Sequence, residues 1–357
     1  MNLQDQWNQA YNCFKSEDFS KALQLLKVFP EDPNVEFLKA QCLWKLGEYS
    51  VSIESFQKSL KLKPEEFLAH TSLIKALIAN NQLELAINHL ESTKNRFGAN
   101  AFTDLYLELC SEVKIKDISA LNLSRLFELY PNDSNIKNLN YLANKFNTHN
   151  AQFQKLEAPN NTLQSSYDYI FAKAPKIELI GLPKNVLFQA LESVSNEGLY
   201  LEMGVYYGLS INSTANKLKD QIIHGFDSFE GLPEAWKQGE GKGSYSTNQY
   251  LPSVEKNVVL HKGWFNETLP KFLEENDESL AFLHIDCDIY SSTKDVFTYL
   301  KTRIVKGTVI LFDDFFGYEG YEGHEVKAFN EFIESSRHSV EYLVCCPLGR
   351  ELAVKIS

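Results

Sequence analysis

The 357-residue chain is short of the features that mark several protein classes. Its six cysteines, Cys13, Cys42, Cys110, Cys287, Cys345 and Cys346, form no CxxC pair and no finger-like spacing. That excludes a disulfide scaffold and a zinc finger, and the expectation is reduced, mostly buried thiols. No stretch approaches the ~18 apolar residues of a membrane span, and the opening MNLQDQWNQAYN has neither the basic nor the apolar region of a secretory leader. Basic tracts are absent too, and the formal net charge is −12. Nucleic acid or an anionic membrane face is therefore a poor partner. The expectation is a soluble, cytoplasmic chain of two or three domains.

What is present divides unevenly. Residues 1–150 carry 16 basic and 18 acidic side chains, and residues 151–357 carry 19 and 29, so the acidity belongs to the second half. The first half has a period. Leu46-Gly47-Glu48-Tyr49 followed by Ile53, Phe56, Leu60 and Pro64 has helix–turn–helix spacing. Ala22-Leu23 stands 30 residues before the matching Ser52-Ile53, and Ala86-Ile87 stands 34 after it. A weaker fourth copy runs from Leu105 through Ile118 and Leu123 to Tyr130-Pro131. A two-helix unit has too little apolar face to fold alone, so small residues such as Ala40 and Ala86 would let neighbouring helices share one core. Residues 1–145 resemble an all-α tetratricopeptide solenoid. The resemblance implies a protein or peptide partner, or self-association, on the concave face. Trp7, Trp44 and Tyr49 suit packing between helices better than binding.

Residues 146–180 read as a linker and capping helix, with helical periodicity over 167–174 and again over 183–194. From there to residue 357 the pattern changes to short apolar runs at 198–203, 221–227, 258–262, 280–286, 308–313, 340–346 and 351–356. The first five are far enough apart for crossover helices, which predicts a parallel sheet covered on both faces. Only Pro347-Leu348-Gly349-Arg350 joins the last two, so the final strand is antiparallel. An α/β, Rossmann-like sheet of seven strands with an antiparallel last strand resembles the class I S-adenosylmethionine-dependent methyltransferases.

Ligands of such sheets bind beyond the carboxyl ends of the strands. The first strand ends in Glu202-Met203-Gly204-Val205-Tyr206-Tyr207-Gly208-Leu209-Ser210, which is GxxxG and not the GxGxxG that seats a pyrophosphate. An acid before the first glycine suits a ligand bearing an ammonium, which favours S-adenosylmethionine over NAD. The second strand ends at Asp227, where a carboxylate can accept from both hydroxyls of a ribose. Trp264, after Lys262-Gly263, could lie near an adenine. The candidate cofactor set is Glu202, Gly204, Tyr206, Gly208, Ser210, Asp227, Ser228, Gly263, Trp264 and Asp286.

The fourth strand delivers His284-Ile285-Asp286-Cys287-Asp288 and the fifth Phe312-Asp313-Asp314. Adjoining strands are ~4.8 Å apart, so Asp286, Asp313 and Asp314 would converge on one rim. Unpaired carboxylates that close repel one another unless a cation neutralises them, and Mg2+ or another hard divalent ion suits oxygen donors. Candidates for a general base are Asp286, Asp288 and His324; Lys294 has no reason to be neutral. His224, His261 and His284 lie within strands and are expected to be satisfied core residues. The glycine-rich stretch 231–250 suits a mobile lid, and Phe316-Gly317-Tyr318 and Tyr321 with Glu319 and Glu322 could stack on and bond a sugar.

Five segments, 198–208, 225–233, 262–270, 284–294 and 312–318, together resemble the macrocin and mycinamicin O-methyltransferase family. The resemblance implies a metal-dependent enzyme, with Asp286, Asp313 and Asp314 as the metal ligands, that methylates a hydroxyl of a sugar, glycoside or other small polar metabolite. Two other functions remain open: a repeat scaffold with a non-catalytic S-adenosylmethionine-binding domain, and a metal-independent N-methyltransferase of the same fold.

Overall fold

The computed structural model describes residues 2–111, 122–146 and 161–357. Ile118 of the fourth repeat copy and residues 147–160 of the expected linker lie outside them. The chain divides into two compact units, residues 1–111 and 112–357. The division falls earlier than the position near 145 expected from the repeat pattern.

The first unit is seven consecutive helices: α1 (Leu3–Lys15), α2 (Phe19–Leu26), α3 (Pro33–Lys45), α4 (Tyr49–Leu62), α5 (Phe67–Ala79), α6 (Leu83–Phe97) and α7 (Ala101–Ser111). Each packs on its sequence neighbours. The starts are written locally. Asn2 and Asp18 accept from backbone N–H groups of the first turns of α1 and α2, and Asp32 accepts from those of Asn34 and Val35 with Pro33 behind it. Ala40, Ala69, Ala76 and Ala86 are buried among Ile53, Phe56, Leu60 and Leu73, so the helices approach closely where the side chains are smallest. The Ser52 hydroxyl donates to the Ala40 carbonyl at 2.7 Å inside this core. Trp44 packs edge-on to Tyr49 at 5.0 Å and Trp7 to Phe29 at 6.2 Å, both as packing aromatics.

Among the described residues of the second unit, α8 (Leu123–Leu129), α9 (Ser134–Phe146) and α10 (Asn161–Lys173) precede the sheet. That sheet has eight strands: β1 (Glu178–Leu179), β2 (Leu199–Met203), β3 (Ile223–Asp227), β4 (Val258–Lys262), β5 (Leu280–Ile285), β6 (Val309–Phe312), β7 (Val340–Cys345) and β8 (Leu352–Ile356), in the order β1-β7-β8-β6-β5-β2-β3-β4. The seven expected runs are all strands, and β8 is antiparallel to both β6 and β7. The expectation of seven strands missed β1. It is two residues long, too short for a period to register, and pairs parallel with β7 at the sheet edge. Every residue of β5 and β6 is buried, as strands covered on two faces require.

Helices α11 (Pro183–Glu192) and α12 (Leu209–Lys217) pack Val186, Ala190, Ile211 and Ala215 against one face, where Leu311 points. Its neighbour Phe312 points to the other face and meets Phe297 of α14 (Tyr290–Leu300) and Phe329 of α15 (Glu325–Ser336). Among the described residues, α13 (Phe265–Glu275) completes the α-helices. Among the described residues no helix is long and apolar enough to cross a membrane. The six cysteines are free thiols, all buried except the half-buried Cys13.

Candidate functional site: a carboxylate group at the strand ends

Strand β5 lies between β2 and β6, so the segment after it meets the ends of both. The Asp286 N–H donates to the Met203 carbonyl at 2.8 Å, and the Asp313 N–H donates to the Ile285 carbonyl at 2.9 Å. This closeness explains Gly204. Its φ is +94°, and a Cβ there would stand 1.7 Å from the Asp286 carbonyl oxygen, so any side chain would force β2 and β5 apart.

Two sets of ligand atoms gather here, each within 4.8 Å: His284, Asp286 and Asp313, and Asp286, Asp288 and Asp314. Asp286 belongs to both sets; Asp313 enters only the one with His284, and Asp314 only the one with Asp288. Asp288 adopts a left-handed backbone, φ +63°, which turns the chain back into the rim just before α14. These groups lie deep in the fold but keep an accessible edge; the Asp313 side chain is 38% exposed. Burial, and then Asp313 and the other carboxylates, push Asp286 well above the usual carboxylate range. Asp288 is raised by burial and then by Asp314 and Asp313. Asp313 is pushed up to about 6, by burial first and then by Asp314. Among the described residues, the guanidinium bound to the group is that of Arg350, whose Nη1 donates to Asp314 Oδ1 at 2.5 Å. Arg350 sits in the β7–β8 turn, where the sequence shows only a hairpin.

His284 departs from expectation. It is 2% exposed, its Nδ1 is 2.9 Å from Glu202 Oε2, and its Nε2 has no hydrogen-bond partner. That nitrogen lies 3.9 Å from Asp313 Oδ1. Burial works to lower its pKa, but the hydrogen bond and charge of Glu202, with Asp313 behind, leave it raised. It is a half-satisfied residue of the site, not a satisfied core histidine. His224 and His261 do satisfy each other, at 3.1 Å.

Glu202 is 1% exposed, and its oxygens accept from Ser210 Oγ at 2.8 Å and from His284, so it holds the strand-to-helix turn. Asp227 is engaged as well. Its Oδ2 accepts from the Val205 and Tyr206 N–H groups, both at 2.8 Å, and its Oδ1 from the Phe229 N–H at 2.7 Å. Of roughly four acceptor sites on a carboxylate, one remains. The clamp also holds Tyr206 at φ +49°, a conformation bulky residues seldom adopt. Gly208 starts α12 with φ +82°, Ser228 is buried with its hydroxyl accepting from the Glu230 N–H, and Trp264 is half-buried at the start of α13 next to Gly263.

His324 is not gathered into the carboxylate group. Burial lowers its pKa, with Glu234 and Lys237 the charges that act on it. Its Nδ1 is buried without a partner, as are both oxygens of the neighbouring Glu325, a wholly buried acid that burial and then Asp314 hold well above the usual range. Glu325 was missed because a lone glutamate opening a helix looks like an ordinary first-turn acid. Lys294 bonds Tyr290 and Glu331 and is raised by them, so it stays charged.

The expected sugar platform is only partly there. Phe316 and Tyr321 are core residues, 0% and 2% exposed, and Glu319 and Glu322 are exposed. Tyr318 instead pairs edge-on with Trp236 at 5.3 Å. Trp236 belongs to the 231–250 stretch, which forms a folded arm. Leu232 N–H donates to the Ser244 carbonyl, Gly243 N–H to that of Leu232, and Ser291 Oγ to Glu234. Lys237 Nζ lies 3.3 Å from the Trp236 ring centre, and the Arg350 guanidinium lies 5.1 Å from that of Tyr318.

A twisted, mainly parallel sheet with an antiparallel penultimate edge pair and acids at the ends of its central strands defines a Rossmann-like methyltransferase fold. Residues 201–315 match the family model described as a methyltransferase domain. Demethyldecarbamoylnovobiocin O-methyltransferase of Streptomyces niveus is 27% identical over 119 residues, which cover 28% of this chain and 44% of that protein. Mycinamicin III 3''-O-methyltransferase of Micromonospora griseorubida is 28% identical over 166 residues, 38% of this chain and 64% of that protein. A TPR repeat-containing protein of Methanocaldococcus jannaschii is 37% identical over 67 residues, 18% of this chain and 21% of that protein. The chain thus spans less than two thirds of the length of each. It joins a tetratricopeptide-type helical array to a methyltransferase domain similar to those of O-methyltransferases.

Proposed function

We propose that the second unit transfers a methyl group from S-adenosylmethionine to a hydroxyl of a sugar or other small polar metabolite, assisted by a divalent cation. One observation carries this: Asp286, Asp288, Asp313 and Asp314 converge at adjoining strand ends with the Arg350 guanidinium among them and an unpartnered imidazole nitrogen beside them. Such a donor set is costly unless neutralised, so it fits a hard cation.

Asp286, Asp313 and Asp314 would hold the ion, whose chemistry when bound is to lower the pKa of an alcohol. The strand-end turn from Gly204 to Ser210, Asp227 with its one spare acceptor site, Ser228 and Trp264 would hold the sulfonium cofactor, which supplies an activated methyl. Asp288, turned into the rim and raised by its neighbours, accepts the hydroxyl proton on its carboxylate. Trp236 and Tyr318 wall the acceptor and exclude water, and the folded arm from 231 to 250 sets its position, so the oxygen is presented in line to the donor carbon. The first unit offers a surface for a protein or peptide, or for a second copy of the chain.

The test is transfer of labelled methyl from S-adenosylmethionine to acceptors in a cell extract, with chelator and then with added divalent ions. Label appearing on hydroxyls only when the ion is present supports the proposal. Full transfer in the presence of chelator overturns the role of the cation, and absence of S-adenosylmethionine binding by calorimetry overturns the enzyme.

A further inference from the structure

Resting on that reading, we propose that helix α10 belongs to the catalytic apparatus. Its Ser166 and Tyr167 are positioning residues that tie the β6–α15 loop to the β7–β8 turn, and through them fix the Tyr318 side of the acceptor wall and the Asp314–Arg350 pair.

In the sequence this stretch reads as linker and cap, but its contacts are those of a structural tie. Ser166 and Tyr167 are both 0% exposed. The Gly317 N–H donates to Ser166 Oγ at 3.0 Å, and that hydroxyl donates in turn to the Thr162 carbonyl at 2.8 Å. The next residue reaches the other loop. Tyr167 OH donates to the Pro347 carbonyl at 3.3 Å, and its ring meets that of Phe316 edge-on at 5.7 Å. Tyr169 adds a further tie by donating to Asn330 Oδ1 of α15 at 2.8 Å, with its ring 6.2 Å from that of Phe315.

The two loops so joined carry the acceptor side of the site. Gly317 stands between Phe316, in the core, and Tyr318, which pairs with Trp236. Pro347 opens the turn that carries Arg350, and Arg350 bonds Asp314. The loops also meet each other, where the Phe315 N–H donates to the Arg350 carbonyl at 3.1 Å. Packing about Gly317 itself is open: its φ is +83°, and an added Cβ would find nothing nearer than Arg350 Cγ at 3.9 Å. The Ser166 hydroxyl, and not packing at this glycine, therefore fixes the direction of the Gly317 peptide, from which Tyr318 leaves the chain. A side chain at a site is held in place only as well as the groups that support it. The cofactor turn has its own supports in Glu202 and Asp227, so loss of the α10 tie should fall on the acceptor side alone.

The experiment uses the full chain, isotope-labelled at the tryptophan indole nitrogens and observed by NMR. Trp236→Phe and Trp264→Phe assign the signal of the acceptor wall and that of the residue next to Gly263. Ser166→Ala should displace or broaden the Trp236 signal, leave that of Trp264 in place and keep S-adenosylmethionine affinity within a few-fold by calorimetry. Methyl transfer to the acceptors of a cell extract should fall about 10- to 100-fold, the scale on which a small misplacement acts. Tyr167→Phe loses one hydroxyl and should act in the same direction; it decides the matter if Ser166→Ala fails to fold by circular dichroism. Transfer and Trp236 signal both unchanged in the folded variants overturn the proposal. So does joint displacement of Trp236 and Trp264 with loss of S-adenosylmethionine binding, which is the mark of general support for the fold. If wild type transfers no methyl group, the enzymatic reading falls, and the two indole signals still decide whether α10 holds the wall.

Discussion

Glu202 and His284 face each other across adjoining parallel strands and share a hydrogen bond of 2.9 Å between Oε2 and Nδ1. The pair joins two parts of the domain: the other Glu202 oxygen holds Ser210 at the start of α12, and the other His284 nitrogen looks toward Asp313. The turn expected to seat a cofactor and the carboxylates expected to seat a cation are therefore mechanically connected.

Replacing Asp313 by Ala should lower methyl transfer at least ~10³-fold, the scale on which lost acid–base and Lewis-acid assistance falls. S-adenosylmethionine affinity should stay within a few-fold of wild type by calorimetry. Loss of both together would mean that Asp313 supports the fold and not the acceptor.

Asp227→Asn keeps the size of the side chain but exchanges one acceptor oxygen for a donor. Whichever way the amide points, at least one of the N–H groups of Val205, Tyr206 and Phe229 loses its acceptor. The expected loss is about 1–3 kcal/mol, visible as a lower urea midpoint, together with weaker S-adenosylmethionine binding because the Gly204–Gly208 turn is released. Unchanged stability would refute the clamp.

Gly204 and Gly208 both have positive φ, but only one is confined by contact. At Gly208 the nearest atoms to an added Cβ are Asn212 Nδ2 at 3.4 Å and Pro252 Cβ at 3.5 Å, so Gly208→Ala should cost only the left-handed strain of about 1–2 kcal/mol. Gly204→Ala adds a clash with backbone and should cost more than ~4 kcal/mol. Chemical denaturation of the two variants should rank them in that order.

His89 sets a pH dependence in the repeat array. Burial, and then the charge of neighbouring His70, lower its pKa from 6.5 to about 4. Between those values the unfolded chain binds more protons than the folded one, so stability rises with pH across that window. The contribution is complete above about 6.5 and is lost as pH falls toward about 4. Hydrogen exchange of peptides from α6 should accelerate over this range, beyond the intrinsic effect of pH, and His89→Gln should flatten the response.

Much of this protein is legible one residue at a time along the chain. The repeat register follows from small and apolar residues at helical spacing, and the strands from continuous apolar runs. The rim acids follow from their place directly after those runs, because periodicity and chain punctuation are local properties. The expected places of Asp286, Asp288, Asp313 and Asp314 rest on nothing else.

What each acid is bonded to depends on contacts between residues far apart in sequence. Glu202 and His284 are 82 positions apart, Asp314 and Arg350 are 36 apart, and Asp227 reaches back 22 to Val205. A carboxylate has only a few acceptor sites, and which donors reach them depends on strand order and register. So the sequence by itself determined the class of fold and the address of the site. Only the tertiary structure decided that Glu202 and Asp227 are largely spent on holding the turn, and that His284 has a nitrogen left over.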